Sequence, residues 1–188
     1  MTAANTARLI LLNGPPGVGK STLAQRFVDE HPLALNLDLD SVRRMLGNWQ
    51  ERPIDAGLLA RAMTLEMARV HLSGGHDVVI PQYLGRPQFI EQAERVAGEV
   101  GVPFLEFVLM DSRDNAVHRF LDRTTTSTAP AHVEAAVQME KFGGRPALEA
   151  MYDRLLLVLS HRPNAQVIQS RDGAVDAAYA ELRRRTDA

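Results

Sequence analysis

Cysteine is absent from all 188 residues, which excludes disulfides and thiolate metal sites and fits a reducing compartment. Aromatic residues make up only 5%, with one tryptophan, and no run interleaves them with basic residues as a groove for single-stranded nucleic acid requires. Neither basic nor acidic residues are in large excess. The 21 Lys+Arg balance 23 Asp+Glu for a net charge of −2 and a pI near 6.3, so no global basic field draws nucleic acid or an anionic membrane. No apolar run approaches a bilayer span, and the N-terminus has no charged flank followed by an apolar core. These absences predict a soluble, cytoplasmic protein with no membrane partner. At 45% hydrophobic, the chain has the means for one substantial core and lacks the length for two ordinary domains. A single domain over 1–188 is expected, with no internal repeat; the oligomeric state is left open.

Against this background one segment stands out. Gly14-Pro15-Pro16-Gly17-Val18-Gly19-Lys20-Ser21, followed by Thr22, fits the spacing G-x-x-x-x-G-K-[ST]. A chain that wraps a triphosphate must point successive N–H groups inward, and glycine reaches the backbone angles this needs without a Cβ clash. Lys20 adds a charge able to reach the β- and γ-phosphates, and Ser21 offers a hydroxyl to Mg²⁺. The context agrees with the motif. Arg8 to Asn13 reads as a strand buried on both faces, and Ser21 to Glu30 carries Leu23, Ala24, Phe27 and Val28 at helical spacing. The loop therefore ends on a helix N-terminus, which favours phosphate.

Strand and helix patterns alternate thereafter, which predicts a parallel sheet covered by helices. Strands are expected at Leu33 to Leu39, Asp77 to Pro81, Pro103 to Met110 and Ala165 to Gln169. Helices are expected at Ser41 to Leu46, Asp55 to Ser73, Pro87 to Gly98, Asn115 to Arg123, Val133 to Lys141, Ala147 to His161 and Val175 to Arg185. The long helix should bury Leu58, Leu59, Met63, Met67 and Val70. Thr124 to Pro130, rich in β-branched hydroxyl residues, reads as a mobile loop.

A phosphate cradle does not by itself separate kinases from GTPases or motors. The second strand carries Asp38 and Asp40 toward its C-terminal edge, the rim where open α/β sheets bind ligands. A carboxylate there can take the proton from an attacking hydroxyl, help commonly worth about 10²–10⁴ in rate. Asp40 is the candidate base, and Asp38 the candidate for Mg²⁺ or acceptor hydroxyls. The alternative has Asp40 capping the next helix and Asp38 as a solvated strand-end charge. Arg119 and Arg123 share a helix face and suit neutralisation of the transferring phosphoryl, a role worth about 10³–10⁵ in rate; a solvated helix face is the alternative. The third strand runs into Pro81-Gln82 where many P-loop proteins place an aspartate. Gln82 can bind a metal-held water or a substrate hydroxyl but brings no charge. The six histidines lack metal-ligand spacing, and Trp49 and Tyr83 are read as packing residues more than as stacking platforms.

The order G-x-x-x-x-G-K-S-T, then Asn36-x-x-x-Asp40-x-x-Arg43, then Arg119-x-x-x-Arg123 resembles the kinase domain of phage polynucleotide kinase. It resembles equally the small P-loop phosphotransferases that include chloramphenicol kinases, zeta toxins and tunicamycin-resistance proteins. The resemblance implies an α/β P-loop NTPase fold: a five-stranded parallel sheet, helices on both faces and a helical lid near 113–145. It implies ATP and Mg²⁺, with Lys20 and Ser21 on nucleotide and metal. It further implies Asp40 as base, Arg43 near the acceptor, and Arg119 and Arg123 in the lid. The expected activity is transfer of the γ-phosphate to a hydroxyl of a small molecule such as a nucleoside, sugar or antibiotic. A polynucleotide 5′-hydroxyl kinase and a non-enzymatic ATP-binding switch are the rivals.

Overall fold

In the computed structural model, residues 7–126, 130–141 and 143–187 are described. Strand and helix alternate through the first half: β1 (Leu9–Asn13), α1 (Lys20–Glu30), β2 (Leu35–Asn36), α2 (Leu39–Arg44), α3 (Pro53–Ser73), β3 (Val78–Pro81), α4 (Gln88–Val100) and β4 (Phe104–Met110). Three helices follow, α5 (Arg113–Thr126), α6 (Pro130–Lys141) and α7 (Gly144–Ser160), then β5 (Gln166–Gln169) and α8 (Val175–Thr186). The strands form one five-stranded sheet in the order β2-β3-β1-β4-β5; its pairs β1/β3, β2/β3 and β4/β5 are parallel. The expected α/β class and five-stranded parallel sheet are therefore those of the protein.

The chain divides into two compact units. The first holds the described residues up to Leu12, then Ser21–Gln82 and Pro87–Glu106. Leu9 to Leu12 and Val78 to Ile80 are fully buried, as apolar runs flanked by crossovers must be. Leu9 pairs with Val78 and Leu12 with Pro81. Pro81 closes its strand, where a missing N–H breaks no further ladder.

The long helix α3 departs from expectation. It buries Ala56, Ala60, Thr64, Ala68 and Leu72, a strict four-residue ridge of mostly small side chains that lets α2 and α4 pack closely against it. Leu58, Leu59 and Val70, expected inside, are exposed. The apolar residues of α3 offered two stripes to the periodicity, and the small-residue stripe took the core.

The second strand is also shorter than expected. Leu33 sits at φ +63° and is exposed, and only Leu35 and Asn36 pair, with Val78 and Val79. Leu39 already belongs to α2, so Asp38 and Asp40 do not lie on a strand.

The second unit comprises Asn13–Lys20, Tyr83–Arg86 and Phe107 onward. Val108, Met110 and Leu155 form one core cluster, with Tyr83, Tyr152, Leu159 and Ala165 around it. Val117, Phe120 and Leu148 form another, joined by Leu121, Ala135 and Met139 from α5 and α6. Helix α5 runs through Thr124 and Thr125 where a loop was expected. Their hydroxyls donate to the carbonyls of Leu121 and Asp122 at 2.7 and 2.9 Å, which satisfies them within the helix. Residues 127–129 of the expected loop lie outside the described residues.

Candidate active site

The loop 14–20 in the second unit is shaped by its backbone. Gly14, Gly17 and Gly19 have φ of +148°, +90° and +94°, a region costly for other residues. Close approach adds a second constraint. A Cβ on Gly14 would lie 2.5 Å from the Leu109 carbonyl oxygen, and one on Gly17 would lie 2.8 Å from that of Ala116 and 2.9 Å from the Phe120 nitrogen. The loop thus presses on the end of β4 and the first turns of α5, and then enters α1 at Lys20.

Three polar anchors hold it there. Asn13 is fully buried; its Oδ1 accepts from the N–H groups of Gly14 (2.8 Å) and Leu84 (2.9 Å), and its Nδ2 donates to the Leu84 carbonyl (3.2 Å). Ser170, just past β5, donates its hydroxyl to the Val18 carbonyl at 2.5 Å. The Lys20 ammonium donates to the carbonyls of Gly14 and Pro15 at 2.9 and 2.8 Å. The sequence reading missed Asn13 and Ser170. The only signal for Asn13 was a polar residue ending an apolar strand next to a glycine; for Ser170 there was none.

Arg119 and Arg123 differ more than their shared spacing suggests. Arg119 donates to the Ser170 carbonyl at 2.6 Å and lies 3.4 Å from Asp111 Oδ2 and 3.7 Å from Asp172 Oδ1. It fastens α5 to the loop after β5, the same loop whose Ser170 hydroxyl holds Val18. Arg123 lies over the Phe120 ring at 5.7 Å, and its Nε is buried with no hydrogen-bond partner among the described residues. Burial first, and the positive charge of Arg119 second, pull its pKa below the usual guanidinium range. A cation so placed is stabilised by an arriving anion. Tyr83 donates its hydroxyl to the Met151 carbonyl at 2.9 Å and packs in the cluster of Val108 and Leu155; burial raises its pKa.

In the first unit, the segment after β2 forms a second constellation. Asp38 is the N-cap of α2, its Oδ1 accepting from the Ser41 N–H at 2.9 Å. Asp40, expected to be the cap if either was, lies in the first turn with Oδ1 2.9 Å from Arg43 Nη2. Its side chain is 45% exposed and that of Arg43 23%, so the carboxylate keeps access to water and solutes. Arg43 in turn lies 4.5 Å over the Trp49 ring. Ser21 and Thr22 are exposed in the first turn of α1, and Gln82 donates its N–H to the Leu12 carbonyl at 3.0 Å.

The described residues contain no cluster of three or more His, Cys, Asp or Glu able to hold a metal. The exposed Ser21 hydroxyl is a donor of the kind Mg²⁺ accepts, since that ion keeps several waters and takes other oxygens from phosphates. A cavity of about 310 Å³ in the first unit is lined by Arg8, His31, Ala34 and Asp77. These residues lie at the N-terminal ends of the strands, opposite to the rim where such sheets bind ligands. No helix among the described residues is long and apolar enough to cross a membrane.

A strand that passes through a glycine-rich phosphate loop into a helix headed by lysine, within a parallel five-stranded sheet, defines a P-loop, kinase-like domain. The chain belongs to the AAA domain family AAA_33, whose model matches residues 9–141. It is 34% identical over 145 residues to the uncharacterized protein Rv2004c of Mycobacterium tuberculosis, a match covering 70% of this chain and 29% of that protein. The chain thus spans less than a third of that relative. Among solved structures, a kinase candidate from Chloroflexus aurantiacus aligns with TM-score 0.66 and 16% identity over 98% of both chains. A gluconokinase from Sinorhizobium meliloti gives 0.61 and 15% over 97% of this chain and 94% of that one. The tunicamycin resistance protein of Deinococcus radiodurans gives 0.60 and 14% over 95% of both. At these identities the likeness is one of fold.

Proposed function

We propose that this protein is an ATP-dependent phosphotransferase that moves the γ-phosphoryl group to a hydroxyl of a small molecule such as a nucleoside, sugar or antibiotic. The observation that carries the reading is the loop 14–20, whose three positive-φ glycines shape a phosphate cradle at the head of α1 in a chain of a kinase-like family. Its N–H groups and Lys20 would grip the β- and γ-phosphates, and Ser21 with Asp38 would hold Mg²⁺. When bound, Mg²⁺ supplies positive charge to the phosphate oxygens.

In this reading Asp40 accepts the proton of the acceptor hydroxyl as its oxygen bonds to the γ-phosphorus, and the bond from that phosphorus to the β–γ bridging oxygen breaks to leave ADP. Arg123 neutralises charge on the transferring group, with Arg119 holding α5 in place beside it. Arg43 and Gln82 serve the acceptor. Support for Asp40 comes from its place in the Asn36-x-x-x-Asp40-x-x-Arg43 pattern and from its exposure beside a cation. The same reading makes the chain one kinase domain with a lid near 113–145, working in the cytoplasm.

The test is transfer from γ-labelled ATP to a panel of nucleosides, sugars, aminoglycoside and phenicol antibiotics, and a 5′-hydroxyl oligonucleotide. Labelling of a small molecule at the expense of ATP is the expected result. Labelling of the oligonucleotide alone would move the acceptor class to nucleic-acid ends. Tight ATP binding with no transfer to any acceptor would contradict the enzyme and leave a nucleotide-binding switch.

A further inference from the structure

The eight residues that follow α2 bring the single tryptophan back onto that helix. Met45 and Leu46 donate their N–H groups to the carbonyls of Val42 and Arg43, at 3.1 Å each, and so tighten the end of α2. Asn48 then takes φ +49°, a left-handed angle that asparagine tolerates better than most residues. Glu51 and Arg52 next donate to the carbonyls of Asn48 and Trp49 at 3.0 and 3.2 Å. The result returns the Trp49 ring to within 4.5 Å of the guanidinium carbon of Arg43, six residues earlier in the chain.

Arg43 needs such a support. Its Nη2 meets Asp40 at 2.9 Å, but the pair is partly exposed and spaced i,i+3 on a six-residue helix, a weak tether by itself. Its Nε is buried with no hydrogen-bond partner among the described residues, so hydrogen bonds do not define the guanidinium plane. The Trp49 ring, 4.5 Å from the guanidinium carbon, adds the second constraint, because a guanidinium is attracted to an aromatic face.

We propose that Trp49 is a positioning residue. By covering one face of the Arg43 guanidinium it keeps Nη2 directed at Asp40, and thereby holds the carboxylate in one orientation toward the acceptor hydroxyl. The inference rests on the reading of Asp40 as the base. It also removes one face of the indole from contact with any acceptor, since that face is covered by Arg43.

Because the chain has one tryptophan, its fluorescence reports on this stack without any acceptor. Arg43→Leu should raise acrylamide quenching of Trp49 and weaken its near-ultraviolet dichroism, with Arg43→Lys in between. Quenching and dichroism unchanged in Arg43→Leu would overturn the proposal. In transfer from γ-labelled ATP to the panel member that is phosphorylated, Trp49→Ala should lower kcat by about two- to fivefold. The KM for ATP should stay put, and Trp49→Phe should restore most of the rate. A Trp49→Ala enzyme with unchanged kcat, or a Phe variant no better than Ala, would overturn the positioning role. Wild-type transfer in Asp40→Asn would instead sink the base reading. That failure is told apart because quenching would still respond to Arg43→Leu.

Discussion

The phosphate loop of the second unit and the acidic segment of the first are built by opposite means. The loop is a backbone object: glycines at angles closed to other residues, pressed to within van der Waals contact of β4 and α5, and locked by the buried Asn13 and by Ser170. The segment around α2 is a side-chain object. It includes a helix cap, a partly exposed ion pair and a ring facing a guanidinium. Sites made of backbone tolerate few residue types, so they announce themselves as motifs. Sites made of side chains on a short helix depend on where the chain turns, and many sequences can turn.

The arginines on α5 give the largest contrast to break. Arg123→Met should cut transfer by about 10³–10⁵ if this guanidinium meets the transferring phosphoryl. Its thermal midpoint should hold or rise, because a half-buried cation with an unpartnered Nε has been removed. Arg119→Met should behave the other way, losing about 1.5–3 kcal/mol of stability with its bond to the Ser170 carbonyl. Thermal unfolding and steady-state transfer on the two variants decide it. Equal stability losses in both would erase the distinction drawn between them.

A second comparison probes the lock on the loop. Asn13→Ala strips partners from the Gly14 N–H and from both backbone groups of Leu84, each such loss costing about 1–3 kcal/mol when buried. Chemical denaturation should show a drop of at least that size, together with weaker ATP binding by calorimetry. Asp38→Ala should cost only about 1 kcal/mol, the usual worth of an N-cap. Denaturation curves that show no loss would mean that the Ser41 bond contributes nothing to α2.

These differences explain what was legible in the sequence. The loop, the helix after it and the parallel sheet could be read because Gly14, Gly17, Lys20 and the run Leu9–Leu12 leave few alternatives. Asp38 and Asp40 could be singled out as candidates. Their local setting could not, since β2 stops at Asn36 and hands Asp38 the cap. The α3 stripe was misassigned because its apolar residues offered two stripes, and packing distance favoured Ala56, Ala60 and Ala68 over the larger Leu58 and Leu59. Thr124 and Thr125 were read as loop because their bonds back to the helix leave no trace in composition.

A paired measurement on Asp40→Asn decides whether residue 40 is the base: ATP affinity by calorimetry and single-turnover transfer from γ-labelled ATP to the acceptor found in the panel. Affinity within about twofold of wild type, with transfer slowed by about 10²–10⁴, is the predicted result. Transfer at the wild-type rate would contradict it and take the base role away from residue 40.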